Sequence, residues 1–172
     1  YADKKHGAFG LERGVEFMRQ MGYMGQIPEE VPLMERYSGE GCPVSYAKET
    51  IWPEGRTPDL QAEQCVPYIE WYIPDNLTTR SIQIVYSGGA YDRNDPDGFE
   101  VAPIRKYLNE KGMTVVTLKY RTPRPSGGLA KHTAAWQDLQ RTIRIVRSQA
   151  ESRGLDPDNI GIMGSSAGGH LT

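Results

Sequence analysis

The sequence predicts an α/β fold, and three observations lead to that prediction. Segments with strand character alternate with segments of helical period between residues 65 and 172. The clearest helical segment lies between Ala130 and Glu151, where one apolar stripe contains Trp136, Leu139, Ile143, Val146 and Ala150. A short apolar run from Ile160 to Met163, bounded by turn-forming residues, is typical of a buried parallel strand. Alternating elements of this kind favour a mostly parallel sheet with flanking helices.

Residue types and turn signals predict the other elements of this core. Val66 to Ile73 and Ser81 to Tyr86 are rich in β-branched and aromatic residues, which predicts two strands. A helix is predicted from Glu100 to Lys111, because it has a proline in its first turn and a glycine directly after its end. Met113 to Lys119 is then predicted to be a strand.

The first 64 residues are predicted to form a separate amino-terminal part. Gly10 to Met21 carries Leu11, Val15, Met18 and Met21 at helical spacing, which predicts a short amphipathic helix. Residues 25–64 contain five prolines and are predicted to wrap the domain as irregular chain. The sequence thus divides into residues 1–64 and a core at residues 65–172.

Composition argues against two classes of partner. The chain has 172 residues, of which 38% are hydrophobic, and its formal net charge is −2. It contains no run approaching about 18 apolar residues, so no membrane span is predicted. Its basic residues are dispersed, and a nucleic-acid role has little support.

Neither the cysteines nor the acidic residues predict a metal site. Cys42 and Cys65 do not have the spacing of a zinc site and are either one disulfide, slightly favoured, or two free thiols. The acidic run from Asp92 to Gly98 lacks the spacing of a calcium loop. Asp97 is instead expected to cap the next helix. No metal and no cofactor are therefore predicted.

Residues 161–172, GIMGSSAGGHLT, contain the strongest chemical signal. Gly164, Ser166 and Gly168 form a G-x-S-x-G motif between the last predicted strand and residues that can open a helix at Ala167. Such a turn needs small neighbours and presents the serine above the carboxyl edge of the sheet. The context predicts a nucleophilic Ser166 rather than a core serine.

A second motif follows the strand that ends at Tyr86. The segment Ser87-Gly88-Gly89-Ala90-Tyr91 is placed to offer backbone N–H groups to the oxyanion that develops during ester hydrolysis. Taken alone, it also fits an ordinary Gly-Gly turn. Together and in this order, the two motifs predict a hydrolytic site.

From about Ile51 onward, the chain resembles the α/β-hydrolase superfamily, and more closely the bacterial carboxylesterases that include acetylxylan and feruloyl esterases acting on plant polysaccharides. Four stretches carry the resemblance: YSGGAY at 86–91, LKYRTP at 118–123, DLQRTIRIVRSQA at 138–150 and RGLDPDNIGIMGSSAGGHL at 153–171. The resemblance implies that Ser166 is the nucleophile and that the N–H groups of Ala167 and of Gly89 or Ala90 form the oxyanion hole. It also implies a small-molecule or polysaccharide ester as substrate and a bacterial, secreted or periplasmic setting.

The chain departs from the family pattern in two places. Ala90 stands where the family usually has a third glycine, which bears on the substrate more than on the chemistry. The family also supplies its Asp or Glu and its general-base histidine after the nucleophile, and only six residues follow Ser166. We therefore expect a carboxy-terminal companion polypeptide of roughly 100 residues or more that carries the triad acid and base.

The three histidines of the chain do not fit the family order of the triad. His170 is expected to pack beneath the nucleophile turn, and His6 and His132 precede the serine.

Three hypotheses follow for function. The leading one is a serine carboxylesterase; the alternatives are a non-catalytic carbohydrate- or partner-binding relative and a peptidase on the same fold. Trp136 is expected to be a buried anchor of its helix.

Overall fold

The computed structural model describes residues 44–172, so the predicted helix from Gly10 to Met21 lies outside the described residues. A five-stranded sheet forms the centre of the described part. The strands are β1 (Val44–Thr50), β2 (Tyr68–Pro74), β3 (Ile82–Tyr86), β4 (Thr114–Lys119) and β5 (Ile160–Gly164). The helices are α1 (Ala102–Glu110), α2 (Thr133–Ala150) and α3 (Ala167–Leu171), and a 3₁₀ turn (Glu151–Arg153) follows α2.

The strand order is β1-β2-β4-β3-β5, and the sheet is mixed. β3 lies parallel to β4 and to β5, whereas β2 is antiparallel to both β1 and β4. The α/β fold is confirmed, but only the β3-α1-β4-α2-β5 part is parallel. The reason is that parallel neighbours need a crossover such as a helix, and no helix joins β1, β2 and β3. β1 also corrects the prediction of irregular chain for residues 44–50.

The core lies between the sheet and the helices. The three central strands contribute apolar side chains at 0% exposure, which include Ile69, Trp71, Ile84, Val116 and Leu118. On α2, the predicted stripe is buried at Leu139, Val146 and Ala150. Trp136 is 50% exposed, so its prediction as a buried anchor is wrong. It lies in the first turn of α2, where its ring lines a surface depression instead of packing on the sheet.

A buried ion pair joins the end of β4 to α2. The side chains of Arg121 and Asp138 are both 0% exposed, and their charged atoms approach within 3.0 Å. Asp138 also accepts hydrogen bonds from Trp52 Nε1 and from the Arg121 backbone N–H, each at 2.8 Å. Because the carboxylate is paired and fully hydrogen-bonded, this charge is tolerated in the core.

Two smaller predictions also need correction. Asp97 does not cap α1, whose N-cap is Val101 with no side-chain hydrogen bond. The carboxylate of Asp97 instead forms an ion pair with Arg105 at 2.8 Å. Cys65 is a free thiol whose Sγ lies 3.7 Å from the Tyr120 carbonyl oxygen. Cys42 lies outside the described residues.

Candidate active site

Ser166 lies on a sharp turn between β5 and α3. Its backbone has φ 49° and ψ −117°, a combination that non-glycine residues adopt only where the surrounding structure enforces it. The flanking glycines explain how the turn closes. A methyl group on Gly164 would lie 2.5 Å from the Gly168 carbonyl carbon, and one on Gly168 would lie 2.8 Å from the Ser87 carbonyl oxygen. The turn thus leaves the Ser166 residue exposed after the carboxyl end of β5.

The glycine loop reaches Ser166 because β3 and β5 are parallel neighbours whose carboxyl ends meet at one edge of the sheet. A methyl group on Gly88 would lie 2.7 Å from Ser166 Cβ, so the loop packs directly against the serine. The next three residues have positive φ angles, 111° at Gly89, 57° at Ala90 and 66° at Tyr91. The glycine loop and the Ser166 turn, which the sequence predicted to form one site, are therefore neighbours in the structure.

Side chains from outside the motifs hold the glycine loop. The Gly88 N–H donates to Glu100 Oε2 at 2.7 Å, so this N–H is already occupied. Within residues 44–172, the N–H groups of Gly89, Ala90 and Ala167 have no acceptor. These are the three groups that the sequence predicted for the oxyanion hole. The hydrogen bond of Glu100 was not predicted, because the sequence offers no local signal for it.

Tyr120 supports the same loop from below. Its hydroxyl lies 3.0 Å from the Ser87 carbonyl oxygen and 3.2 Å from that of Gly88, so its one proton is shared between the two acceptors. Burial raises the pKa of the Tyr120 phenol, which keeps the hydroxyl protonated and able to donate. The backbone N–H of Asp95 donates to Ser87 Oγ at 2.9 Å. The loop is consequently fixed at several points before any substrate binds.

His170 does not pack beneath the nucleophile turn, and that expectation is wrong. The buried residues of α3 are Gly168 and Leu171, and His170 lies on the exposed side of this single turn. Its Nδ1 lies 2.7 Å from the Tyr91 hydroxyl, which donates to the Ala167 carbonyl oxygen at 2.9 Å. Since that hydroxyl has one proton, His170 Nδ1 is the donor in their contact.

The histidines of the described part are not paired with the serine. The His170 ring meets the His132 ring edge to face, with centroids 5.4 Å apart. Neither ring forms a hydrogen bond to Ser166 Oγ within residues 44–172. The described residues therefore present a serine and free N–H donors without a positioned base.

Metal and membrane sites were also considered for the described part of the chain. Residues 44–172 contain no cluster of three or more side chains suited to hold a metal ion. In the same range, every helix is too short or too polar to cross a bilayer.

Comparison with known proteins gives a family match whose range contains both motifs. The BD-FAE family matches residues 69–172. An acetylxylan esterase of Xylanibacter ruminicola is 32% identical over 103 residues, which cover 59% of this chain and 20% of that protein. A probable carboxylic ester hydrolase of Mycobacterium tuberculosis is 32% identical over 104 residues, covering 59% of this chain and 23% of that protein.

A solved structure extends the comparison to three dimensions. The acetyl ester-xyloside bifunctional hydrolase from Caldicellulosiruptor lactoaceticus superposes with a TM-score of 0.61 and 32% identity, covering 73% of this chain and 44% of that one. The chain spans about a fifth of the length of the curated relatives it matches. The match therefore identifies the α/β-hydrolase fold.

Proposed function

The chain belongs to the BD-FAE family, and from that premise we propose that it provides the nucleophile of a serine carboxylesterase with the α/β-hydrolase fold. Ser166 Oγ attacks the ester carbonyl, the alcohol leaves, and water then releases the acid from the acyl-enzyme. One observation carries the proposal: Ser166 stands on a turn with φ 49° and ψ −117°, directly against Gly88 of the glycine loop.

The oxyanion hole in this proposal is formed by backbone N–H groups. Ala167 supplies one, and Gly89 or Ala90 supplies the other. Their lack of other acceptors within residues 44–172 supports this assignment, whereas Gly88 is excluded because it donates to Glu100. Such donors stabilise the charge that develops on the carbonyl oxygen and account for about 10²–10³-fold each in rate.

The triad acid and base complete the proposal. We place the Asp or Glu and the histidine in a companion polypeptide on the carboxyl side of the nucleophile. Two observations support this: His170 is engaged with Tyr91, and the matched region covers only 20% of the acetylxylan esterase. Without a base, Ser166 has no acceptor for its proton.

The substrate in this proposal is an acetyl or feruloyl ester on a plant polysaccharide. The names of the relatives, an acetylxylan esterase and an acetyl ester-xyloside hydrolase, support the acetyl ester. Such polymers do not enter cells, so the proposal includes a bacterial, secreted or periplasmic protein.

The experiment compares two neighbouring serines in the full-length protein. Ser166→Ala should lower acetate release from p-nitrophenyl acetate and acetylated xylan by about 10³-fold or more. Ser165→Ala is the matched control and should keep the parent rate. If Ser166→Ala retains a tenth of the parent turnover, the nucleophile assignment is wrong. Activity on peptides alone would favour the peptidase, and an inactive parent would favour the non-catalytic relative.

A further inference from the structure

Tyr91 connects the two segments that carry the proposed oxyanion-hole donors. It directly follows Ala90 in the glycine loop, and its hydroxyl donates to the carbonyl oxygen of Ala167 at 2.9 Å. Ala167 lies 76 residues further along the chain, directly after the nucleophile. Since Ala90 and Ala167 each carry a candidate N–H group, one side chain joins the two sides of the proposed hole.

The Tyr91 side chain occupies a packed position behind the glycine loop. The residue is 2% exposed, and its ring centroid lies 6.2 Å from that of Tyr120. The Tyr120 hydroxyl in turn contacts the carbonyl oxygens of Ser87 and Gly88. Because protein interiors are close-packed, a ring in this position has little freedom to move. The Tyr91 hydroxyl is therefore fixed relative to the loop.

His170 directs the proton of the Tyr91 hydroxyl toward Ala167. Its Nδ1 lies 2.7 Å from the hydroxyl oxygen and donates to it, so the hydroxyl keeps its own proton for the Ala167 carbonyl oxygen. Burial raises the pKa of the Tyr91 phenol, which keeps that proton in place at neutral pH. Consecutive hydrogen bonds of this kind polarise and strengthen one another.

The backbone of the glycine loop needs such a restraint. Ala90 and Tyr91 have φ angles of 57° and 66°, so two consecutive non-glycine residues are left-handed. This conformation persists only where the surrounding structure enforces it. The hydrogen bond to Ala167 restrains the second of the two residues directly. Without it, the loop could relax and change the direction of its N–H groups.

We propose that Tyr91 is a positioning residue of the esterase, which holds the N–H groups of the glycine loop and of Ala167 at the spacing that the oxyanion requires. The proposal rests on the proposed function. Oxyanion donors act only when they are aimed at the developing charge, so Tyr91 contributes to stabilising the transition state. It does so through the two segments and touches no reacting atom itself.

The kinetic test removes one hydroxyl from each of two buried tyrosines. Tyr91→Phe keeps the ring and should lower kcat/KM for p-nitrophenyl acetate about tenfold in the full-length protein. The expected loss is smaller than that for a deleted donor, because the N–H groups remain present. Tyr86→Phe is the matched control and should keep the parent rate, since Tyr86 is 1% exposed and its hydroxyl contacts Thr172.

A trifluoromethyl ketone separates positioning from a merely structural role. Ser166 Oγ adds to the ketone carbon, the carbonyl electron pair moves to the oxygen, and the serine proton passes to the base of the full-length protein. The resulting oxyanion occupies the hole. With active sites counted by phosphonate titration, Tyr91→Phe should raise the inhibition constant by the same factor, about tenfold, that it lowers kcat/KM. An unchanged inhibition constant per active site would overturn the proposal.

Amide hydrogen exchange tests the restraint without using activity. The N–H groups of Gly88, Asp92 and Arg93 donate hydrogen bonds in and beside the loop. Tyr91→Phe should speed their exchange about tenfold, and Tyr86→Phe should leave it unchanged. Unchanged exchange in Tyr91→Phe, or an equal loss of rate in both variants, overturns the proposal. A parent that hydrolyses no ester while Tyr91→Phe speeds exchange refutes the esterase, and the restraint by Tyr91 stands.

Discussion

Removing the carboxylate of Asp138 should destabilise the domain strongly. Asp138→Ala leaves the guanidinium of Arg121 buried at 0% side-chain exposure without its counter-charge. It also removes the acceptor of Trp52 Nε1 and of the Arg121 backbone N–H, both at 2.8 Å. The perturbation is therefore a buried, unpaired charge together with two unsatisfied donors.

The magnitude follows from these contacts. Breaking a buried pair by removing one partner typically costs about 3–5 kcal/mol. The two donors that lose Asp138 as their acceptor add to this cost. Each hydrogen bond to a charged group is worth about 1.5–3 kcal/mol, but part of that energy is already contained in the cost of breaking the ion pair. We expect the free energy of unfolding to fall by about 4–5 kcal/mol.

The assay is urea unfolding of the full-length protein, followed by circular dichroism. Asp92→Ala is the matched control, because Asp92 pairs with Arg124 at the surface, where their side chains are 46% and 47% exposed. The control should unfold at the parent midpoint. If Asp138→Ala lies within about 1 kcal/mol of the parent, the buried pair does not have the role assigned to it.

A double-mutant cycle shows whether the cost comes from the unpaired charge. Arg121→Met combined with Asp138→Leu removes both charges and fills the space, so it should be less destabilised than the sum of the two single variants by at least about 2 kcal/mol. It should not reach the parent, because Arg121 also donates to the carbonyl oxygens of Ala134 and Pro58. Additive single effects would refute the argument.

Three further predictions concern the loop and α2. Gly88→Ala should lower esterase kcat by about 100-fold, because the added methyl group displaces Ser166. The control Gly169→Ala should remain active, because its added methyl group has no contact closer than 3.4 Å. Glu100→Ala should lower kcat about tenfold by releasing the Gly88 N–H, whereas Glu100→Gln keeps an acceptor and most of the rate; equal losses would exclude this bracing role. Trp136→Ala should cost less than about 2 kcal/mol in urea unfolding, since half of the residue is exposed, and a loss above 3 kcal/mol would contradict that exposure.

Local sequence motifs predicted the position of the serine turn. They could not predict contacts between residues that are distant in the sequence. A strand followed by small residues is a short-range pattern, so the positions of Ser166 and the glycine loop were accessible from the sequence. The hydrogen bond from Gly88 to Glu100 was not accessible, because it depends on how the chain returns after twelve residues. The same holds for the distant pair of Arg121 and Asp138.

The spacing of apolar residues predicted most helices and strands, but it did not predict which of their side chains are buried or how the strands pair. The spacing of α2 placed Trp136 on the apolar stripe. The buried face of the helix includes the neighbouring Ala135 and the polar Asp138 instead, and Trp136 lies beside that face with half of its surface exposed. Prolines around residues 44–50 hid the strand β1. From Tyr46 to Thr50 its exposed residues alternate with less exposed ones, as in a strand with one face in solvent. The antiparallel pairing of β2 followed from a connection without a helix, which the alternating pattern did not reveal.

The close packing of Gly88, Gly164 and Gly168 determines where this protein can be engineered. Each of these positions meets backbone atoms within 2.5–2.8 Å of an added methyl group, so side-chain diversity there would distort the serine turn. A neighbouring cavity beside the glycine loop is lined instead by side chains that include Arg93, Asn94, Asp95 and Phe99. Mutant libraries meant to vary the surroundings of Ser166 should therefore randomise Arg93 and Phe99 and hold the three glycines constant.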